Sequence, residues 1–368
     1  MANTESAGPT ADVPPVRYRV SGMDCAKDAA QIERAAQSAG VAPDAVKVSA
    51  ATHIMTLKVP EASLPEIEKA VEKTGYRPDA RAASLRRGST NRIGVILPDA
   101  GNPAYSNAMR VFHDQLREHG YSMVLGCTYG SVEEEHKLLQ FMQQDHVDGI
   151  ILYTCEGPQD DLSHQTLKQL FDQKTPVVYV GKQNPLLPMD NLSVDNRLGI
   201  TKAVRYLKRI GKRHITFLSG DTCNWAYQQR VDSFKRAMKA AKLKCPSQAI
   251  LAQGTSSVET GGALLPKLME QMPQTEAVVC SNDLMAIGAM YAAIQMGLKV
   301  PENLAVIGFD DIQMATLVRP QLTTLRQPIT EIAQQTCQFL LNRLTGMSDE
   351  KTPQSLLIEP ELVVRESA

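Results

Sequence analysis

The sequence predicts an α/β protein of two lobes, each a doubly wound parallel sheet, preceded by a small α+β module. Three observations carry this prediction. From Asn91 onward, apolar runs of strand length alternate with amphipathic segments of helix length, and after Asp190 the same cycle restarts. Ahead of both, residues 15–78 show period-two alternation interrupted by two helix-like stretches. Between the parts lies an arginine-rich joint, and 368 residues are enough for two or three such cores.

The front module is legible element by element. "VRYRV" alternates Val16, Tyr18 and Val20 with Arg17 and Arg19, which predicts a strand with one wet face. A helix follows from Ala26 to Ser38, with Ile32, Ala35 and Ala39 on its buried side and Gly40 as its stop. "DAVKVSA" and "THIMTLKV" are two β-rich segments, the second placing Met55, Leu57 and Val59 on one face. A second helix from Leu64 to Lys73 carries Leu64, Ile67 and Val71, so the order is βαββα, with a last edge strand interrupted at Pro78.

With "SGMDC" between the first strand and helix, and "AVEKTGY" closing the second helix, the module resembles the heavy-metal-associated domain, a ferredoxin-like βαββαβ fold. That family's loop reads GMxCxxC, two thiolates placed to hold one soft ion. Here the stretch is Cys25-Ala26-Lys27-Asp28, and the second thiolate is missing. Asp24, Cys25 and Asp28 remain as a candidate ligand set of one sulfur and two carboxylates, suited to zinc or another heavy-metal ion rather than Cu(I). The alternative is a retained fold used for packing or for a partner. A helix-turn-helix overlay of the same segment would present Ala42, Pro43 and Asp44 to DNA and would run through β-branched alternation, and both features disfavour it.

Past Tyr76 comes the joint, residues 79–90. Between Arg77 and Arg92 stand Arg77, Arg81, Arg86, Arg87 and Arg92 against the single acid Asp79. "GYRPDARAASLRRGSTNRIGVI" resembles the hinge of the lactose/galactose repressor (LacI/GalR) family, in which a short helix from each subunit of a dimer enters the DNA minor groove. The resemblance implies Leu85 as a wedge between base pairs and Arg81, Arg86 and Arg87 on phosphates. Without it, the stretch is a solvated helical spacer.

In the core, "RIGVILPD", "YSMVLGCT", "DGIILYT" and "PVVYVGK" are strands of a first lobe, and "HITFLSGD", "AILAQGT", "AVVCSND" and "LAVIGFDD" of a second. Helices fill the gaps, as where Met109, Phe112 and Leu116 share one face. "NPAY", "VDGIIL", "SVDNRLGITKAVRYL", "SNDLMAIGAMYAAIQMGLKVP" and "PQLTTLRQP" resemble, in order and over the whole length, the periplasmic-binding-protein-like core of that repressor family. The expected lobes are residues 91–190 with 321–343, and 191–320 with 344–368. Ligands of such cores lie between the lobes at the carboxyl ends of the strands. The resemblance implies Asn102, Tyr105, Arg230 and Asp283 as effector-binding residues, with Asp310 a further member and Trp225 a ring on which an effector could stack.

Composition narrows the rest. A net charge of −1 excludes a protein coated for nucleic acid, so any DNA contact must be local. Seven scattered cysteines without CxxC spacing read as reduced thiols, and residues 1–14 read as a flexible tail rather than a signal peptide. No apolar run reaches the roughly 20 residues of a membrane span. There is no Walker loop, nucleophile elbow or HExxH spacing, so an enzyme is not expected and no cofactor is required. The expectation is a cytoplasmic homodimer that binds a small-molecule effector and double-stranded operator DNA. The alternative is a ligand- or metal-responsive adaptor whose front module contacts a protein.

Overall fold

The computed structural model describes residues 14–21, 23, 25–78, 89–155, 162–181, 187–220, 225–347 and 352–368. The chain divides into two units, Met1–Asn91 and Arg92–Ala368.

In the first unit, β1 (Val16–Ser21), β2 (Val46–Ser49), β3 (Ile54–Leu57) and β4 (Arg77–Pro78) form an antiparallel sheet of order β2-β3-β1-β4. The helices α1 (Ala26–Ser38) and α2 (Leu64–Glu72) complete it. Alternation sets the faces: Tyr18, Val20, Met55 and Leu57 are buried with Ile32, Ile67 and Val71 from the helices, while Arg17, Arg19 and Lys47 are exposed. The Tyr18 hydroxyl donates to Glu68 Oε1 at 2.7 Å, so the buried phenol is paired. Pro78 does not prevent the last strand. It sits opposite Val20 on a two-residue edge strand, a place where a missing N–H is tolerated, so the order is a complete βαββαβ.

The second unit holds two six-stranded sheets. The first has β5 (Arg92–Leu97) beside β6 (Ser122–Cys127) and β7 (Gly149–Tyr153), then β8 (Val177–Val180), β9 (Asp190–Val194) and β15 (Ser355–Ile358), all parallel. The second runs β11 (Ile250–Ala252), β10 (Ile215–Ser219), β12 (Ala277–Cys280), β13 (Ala305–Asp310) and β14 (Thr323–Arg326), and closes with antiparallel β16 (Glu361–Val363). Each sheet has an apolar cluster on either side, which is why β5, β7, β8, β12 and β13 read as apolar runs.

Hydrogen bonding moves the expected lobe boundaries. β9 belongs to the first sheet, so the chain leaves that lobe after Val194 rather than at 190. β14 pairs with β13 in the second lobe, and the chain returns with the helix Ile329–Leu344, which packs on β7, β8 and β9. Segment 355–358, expected in the second lobe, adds to β9 in the first. Pairing of β9, β14 and β15 depends on register with distant strands, which local periodicity does not encode.

Candidate functional site

The site forms where the strands of both lobes end. Beyond β5, Asn102 caps the helix α3 (Pro103–Glu118), its Oδ1 accepting from the Ala104 N–H at 3.0 Å. That cap aims Tyr105, one turn in, at Tyr153 from the end of β7. The two rings meet edge to face with centroids 5.5 Å apart. From the second lobe the helix Trp225–Ala240 presents Trp225, Tyr227 and Arg230, and β13 ends in Asp310. These side chains line a single cavity between the two lobes.

Arg230 is held from several directions. Its Nε donates to Asn196 Oδ1 at 2.9 Å, its Nη1 donates to the Ser281 carbonyl, and its guanidinium carbon lies 3.6 Å from the Phe309 ring centroid. Nη1 is 3.9 Å from Asp310 Oδ1, too far for a hydrogen bond, so the two face each other as charges. Nη2 makes no hydrogen bond among the described residues, leaving it as a donor for a guest.

Asp310 has φ +125°, rare for a residue with a Cβ, and Asp311 follows at φ +59°. The strained pair is fastened from outside: Asp311 accepts from Arg326 Nε at 2.7 Å and from Arg365 Nη2. Consecutive positive φ values turn the first carboxylate toward the cavity while anchoring the second, the over-determined setting in which strain persists. Gln327 Nε2 also donates to Asp310 Oδ1. Burial pushes the Asp310 carboxyl up to about 6, against the opposing pull of Arg230. Burial likewise raises the Tyr105 and Tyr227 hydroxyls, which remain protonated donors at neutral pH.

Asp283 has a different place from the one the resemblance implies. It is fully buried at the start of the helix Asp283–Gln295 and does not line the cavity. Its Oδ2 accepts from the Ile312 N–H at 2.9 Å and its Oδ1 from the Thr324 hydroxyl. It braces the loop that carries Asp310 against β14. A Cβ on Gly308 would overlap its Oδ1, so only glycine fits there. Burial, followed by the charge of Asp310, raises the Asp283 carboxyl to about 7.

Of the six residues expected at the effector, Asn102, Tyr105, Trp225, Arg230 and Asp310 line one cavity and Asp283 stands behind its wall. Tyr153, Tyr227, Asn196 and Gln327 also line it and were not anticipated. Tyr227 shares a helix with Arg230 at three-residue spacing, a signal within reach. Gln327 and Asn196 lie inside quoted matches, but nothing local marks either as facing a cleft.

Among its described residues the metal loop does not assemble a site. Cys25 is exposed and caps α1, and its N–H donates to Asp28 Oδ2 at 3.1 Å. The carboxylate that replaces the second thiolate therefore closes the helix end, as a capping box does. Among the described residues no three His, Cys, Asp or Glu side chains stand together to hold an ion, so these residues do not fit a soft metal centre. Asp24, and the hinge residues Arg81, Leu85, Arg86 and Arg87, lie outside the described residues. No helix among the described residues is long and apolar enough to cross a membrane.

Residues 204–368 match the periplasmic binding protein-like domain and residues 17–77 the heavy-metal-associated domain. The HTH-type transcriptional regulator DegA of Bacillus subtilis is 30% identical over 315 residues, 85% of this chain and 91% of that one. The HTH-type transcriptional repressor PurR of Vibrio vulnificus is 31% identical over 342 residues, 92% of this chain and 98% of that one. A LacI family transcriptional regulator from Enterococcus faecium, solved with bound ribose, superposes with a TM-score of 0.64 at 26% identity, over 75% of this chain and 98% of that one.

The chain belongs to the LacI/GalR family of transcriptional regulators. Membership makes it a regulator of transcription rather than an enzyme. It also makes the front module the departure: in this family member, residues 17–77 match a heavy-metal-associated domain, whereas the two relatives are named for a helix-turn-helix.

Proposed function

We propose that this protein is an effector-responsive regulator whose cleft takes a small polar ring, a sugar or a purine-like base, and whose lobes pass that binding to DNA through paired hinge helices of a cytoplasmic homodimer. The observation that carries this is the cavity itself. A fixed guanidinium, whose Nη2 makes no hydrogen bond among the described residues, and a carboxylate stand on one side, and Tyr105, Tyr153, Tyr227 and Trp225 supply ring faces. The carboxylate accepts from hydroxyl or ring N–H groups, Nη2 donates to an oxygen or ring nitrogen, and the aromatic walls stack on the ring face. Because the cavity draws on both lobes, a ligand bridging them selects one lobe arrangement, and with it one spacing of the hinge helices.

The test is a panel of pentoses, hexoses and purines read by thermal shift, with duplex binding measured with and without the best ligand. The expected result is stabilisation by one class and a change in DNA affinity on its addition. If no member stabilises the protein, or if the ligand leaves DNA affinity unchanged, the reading fails. Leu85→Ala should weaken binding to a bendable site more than to random duplex.

Acid should weaken the effector. Hydrogen bonds from a ligand stabilise the ionised form of Asp310, so the bound state has the lower pKa. Affinity is then flat above about pH 7 and declines as pH falls through about 6, approaching tenfold per unit. In the ligand-free protein the sign reverses. Asp310 and Asp283 hold protons more tightly folded, near 6 and 7, than at their ordinary 3.8. These two groups therefore add stability as pH falls from 7.5 toward 5. Calorimetric titrations between pH 5 and 8 check the first claim; tighter binding in acid would mean that Asp310 acts as a protonated donor.

A further inference from the structure

The open face of the front sheet carries a pattern that neither the cleft nor the metal loop uses. Core-facing residues alternate with Arg17 and Arg19 on β1, Lys47 and Ser49 on β2, and Ile54 and Thr56 on β3, with Lys58 just beyond. Register sets these side chains in rows. Arg17, Thr56 and Lys47 stand abreast, since Arg17 pairs with Thr56 and Lys47 pairs with Thr56 from the other side. Arg19, Ile54 and Ser49 form the next row.

At about 3.4 Å per residue and about 4.8 Å between strands, Arg17 and Arg19 lie about 7 Å apart and Lys47 stands about 10 Å from Arg17 across the sheet. All four cations are exposed, and none forms an ion pair with an acid among the described residues. No acidic side chain stands on this face among the described strand residues. The acids of the unit lie on α1, α2 and the turns, as with Asp28, Glu33, Asp44, Glu61, Glu66, Glu68 and Glu72.

Resting on the proposed DNA reading, we propose that this sheet face docks on the phosphate backbone of duplex DNA. It would serve in place of the helix-turn-helix for which the two relatives are named. Charge complementarity selects a polyanion: four cations with no acid among them, in a chain whose net charge is only −1. The absence of aromatics selects a duplex over a single strand. Tyr18 points into the core, so Arg17, Arg19, Lys47, Ser49, Ile54, Thr56 and Lys58 offer no ring on which an unpaired base could stack. The face supplies affinity and orientation, and base reading is left to the hinge.

The experiment uses the full-length chain and fluorescence anisotropy on a random 30-base-pair duplex and on single-stranded RNA of equal length, across a salt series. The variant Arg17→Gln/Arg19→Gln/Lys47→Gln/Lys58→Gln is expected to flatten the slope of log affinity against log salt by about 3 to 4, near 0.9 for each phosphate no longer neutralised, and to weaken duplex binding roughly 100-fold or more at low salt. A second variant, Lys47→Glu, changes one exposed side chain and should weaken duplex binding even if the quadruple variant folds poorly. Arg86→Gln/Arg87→Gln reports on the hinge separately. An unchanged slope in both sheet variants, with weakening only in the hinge variant, overturns the docking face and leaves the DNA reading intact. No duplex binding by the wild type at low salt overturns both. Tighter binding of the RNA, abolished in the sheet variants, assigns the face to single strands instead and also overturns the proposal.

Discussion

Arg230→Ala is expected to abolish effector-induced thermal stabilisation and to weaken binding about 100-fold or more. Arg230 is about 95% buried, and its guanidinium donates to Asn196 and to the Ser281 carbonyl, so the Nη2 edge, which makes no hydrogen bond among the described residues, is pre-oriented before a ligand arrives. Truncating one member of a buried charge pair costs about 2 to 5 kcal/mol in a complex, much of it from the partner left without compensation. Here that partner is Asp310. Losing Arg230 removes the charge that holds the Asp310 carboxyl down, so it titrates higher still and is less ionised at neutral pH. Arg230→Lys keeps the charge but lacks the planar fork that spans Asn196 and Ser281, and should retain the fold while losing most of the affinity. Calorimetry with the best ligand of the panel checks both, and binding by Arg230→Ala within threefold of wild type would remove Arg230 from the site.

Asp283 separates a brace from a ligand contact. Asp283→Ala leaves the Ile312 N–H and the Thr324 hydroxyl without their acceptor in a fully buried place, and the expected loss of stability is about 2 to 4 kcal/mol. Asp283→Asn keeps an acceptor, offers an NH2 group to the Thr324 oxygen, and removes a carboxylate whose ionisation burial already opposes. It should melt within about 1 kcal/mol of wild type and bind effector normally. Denaturant unfolding measures the first and calorimetry the second. A well-folded Asp283→Asn variant that loses effector binding tenfold would return Asp283 to the cavity.

Asp283 and Asp310 mark the limit of what local sequence encodes. Asp283 sits between apolar stretches, so its need for donors was visible, but whether protein or ligand supplies them was not. Distant backbone at Ile312 and a hydroxyl at Thr324 fill that need. The orientation of Asp310 was hidden, because nothing in "GFDD" announces that its first carboxylate adopts φ +125° and turns into the cleft. Arg326 and Arg365, 15 and 54 residues away from Asp311, hold that geometry.

Local periodicity was sufficient for the first five elements of the front module and for the core strands that read as apolar runs. Period-two alternation placed Tyr18 and Met55 inside and Arg17 and Arg19 outside, and unbroken apolar runs marked strands covered on both sides. Both features follow from neighbours a few residues apart, where side-chain direction is set by backbone geometry alone. Strand membership was not accessible in this way: β9 and β15 join the first lobe and β14 the second through hydrogen bonds to partners far along the chain. The same holds for the candidate sites of the two units, each taken by itself. A cation row forms only when β2 and β3 fall into register with β1, and a binding cleft forms only when strand ends from two sheets converge, because burial and charge proximity are properties of contacts rather than of residue order.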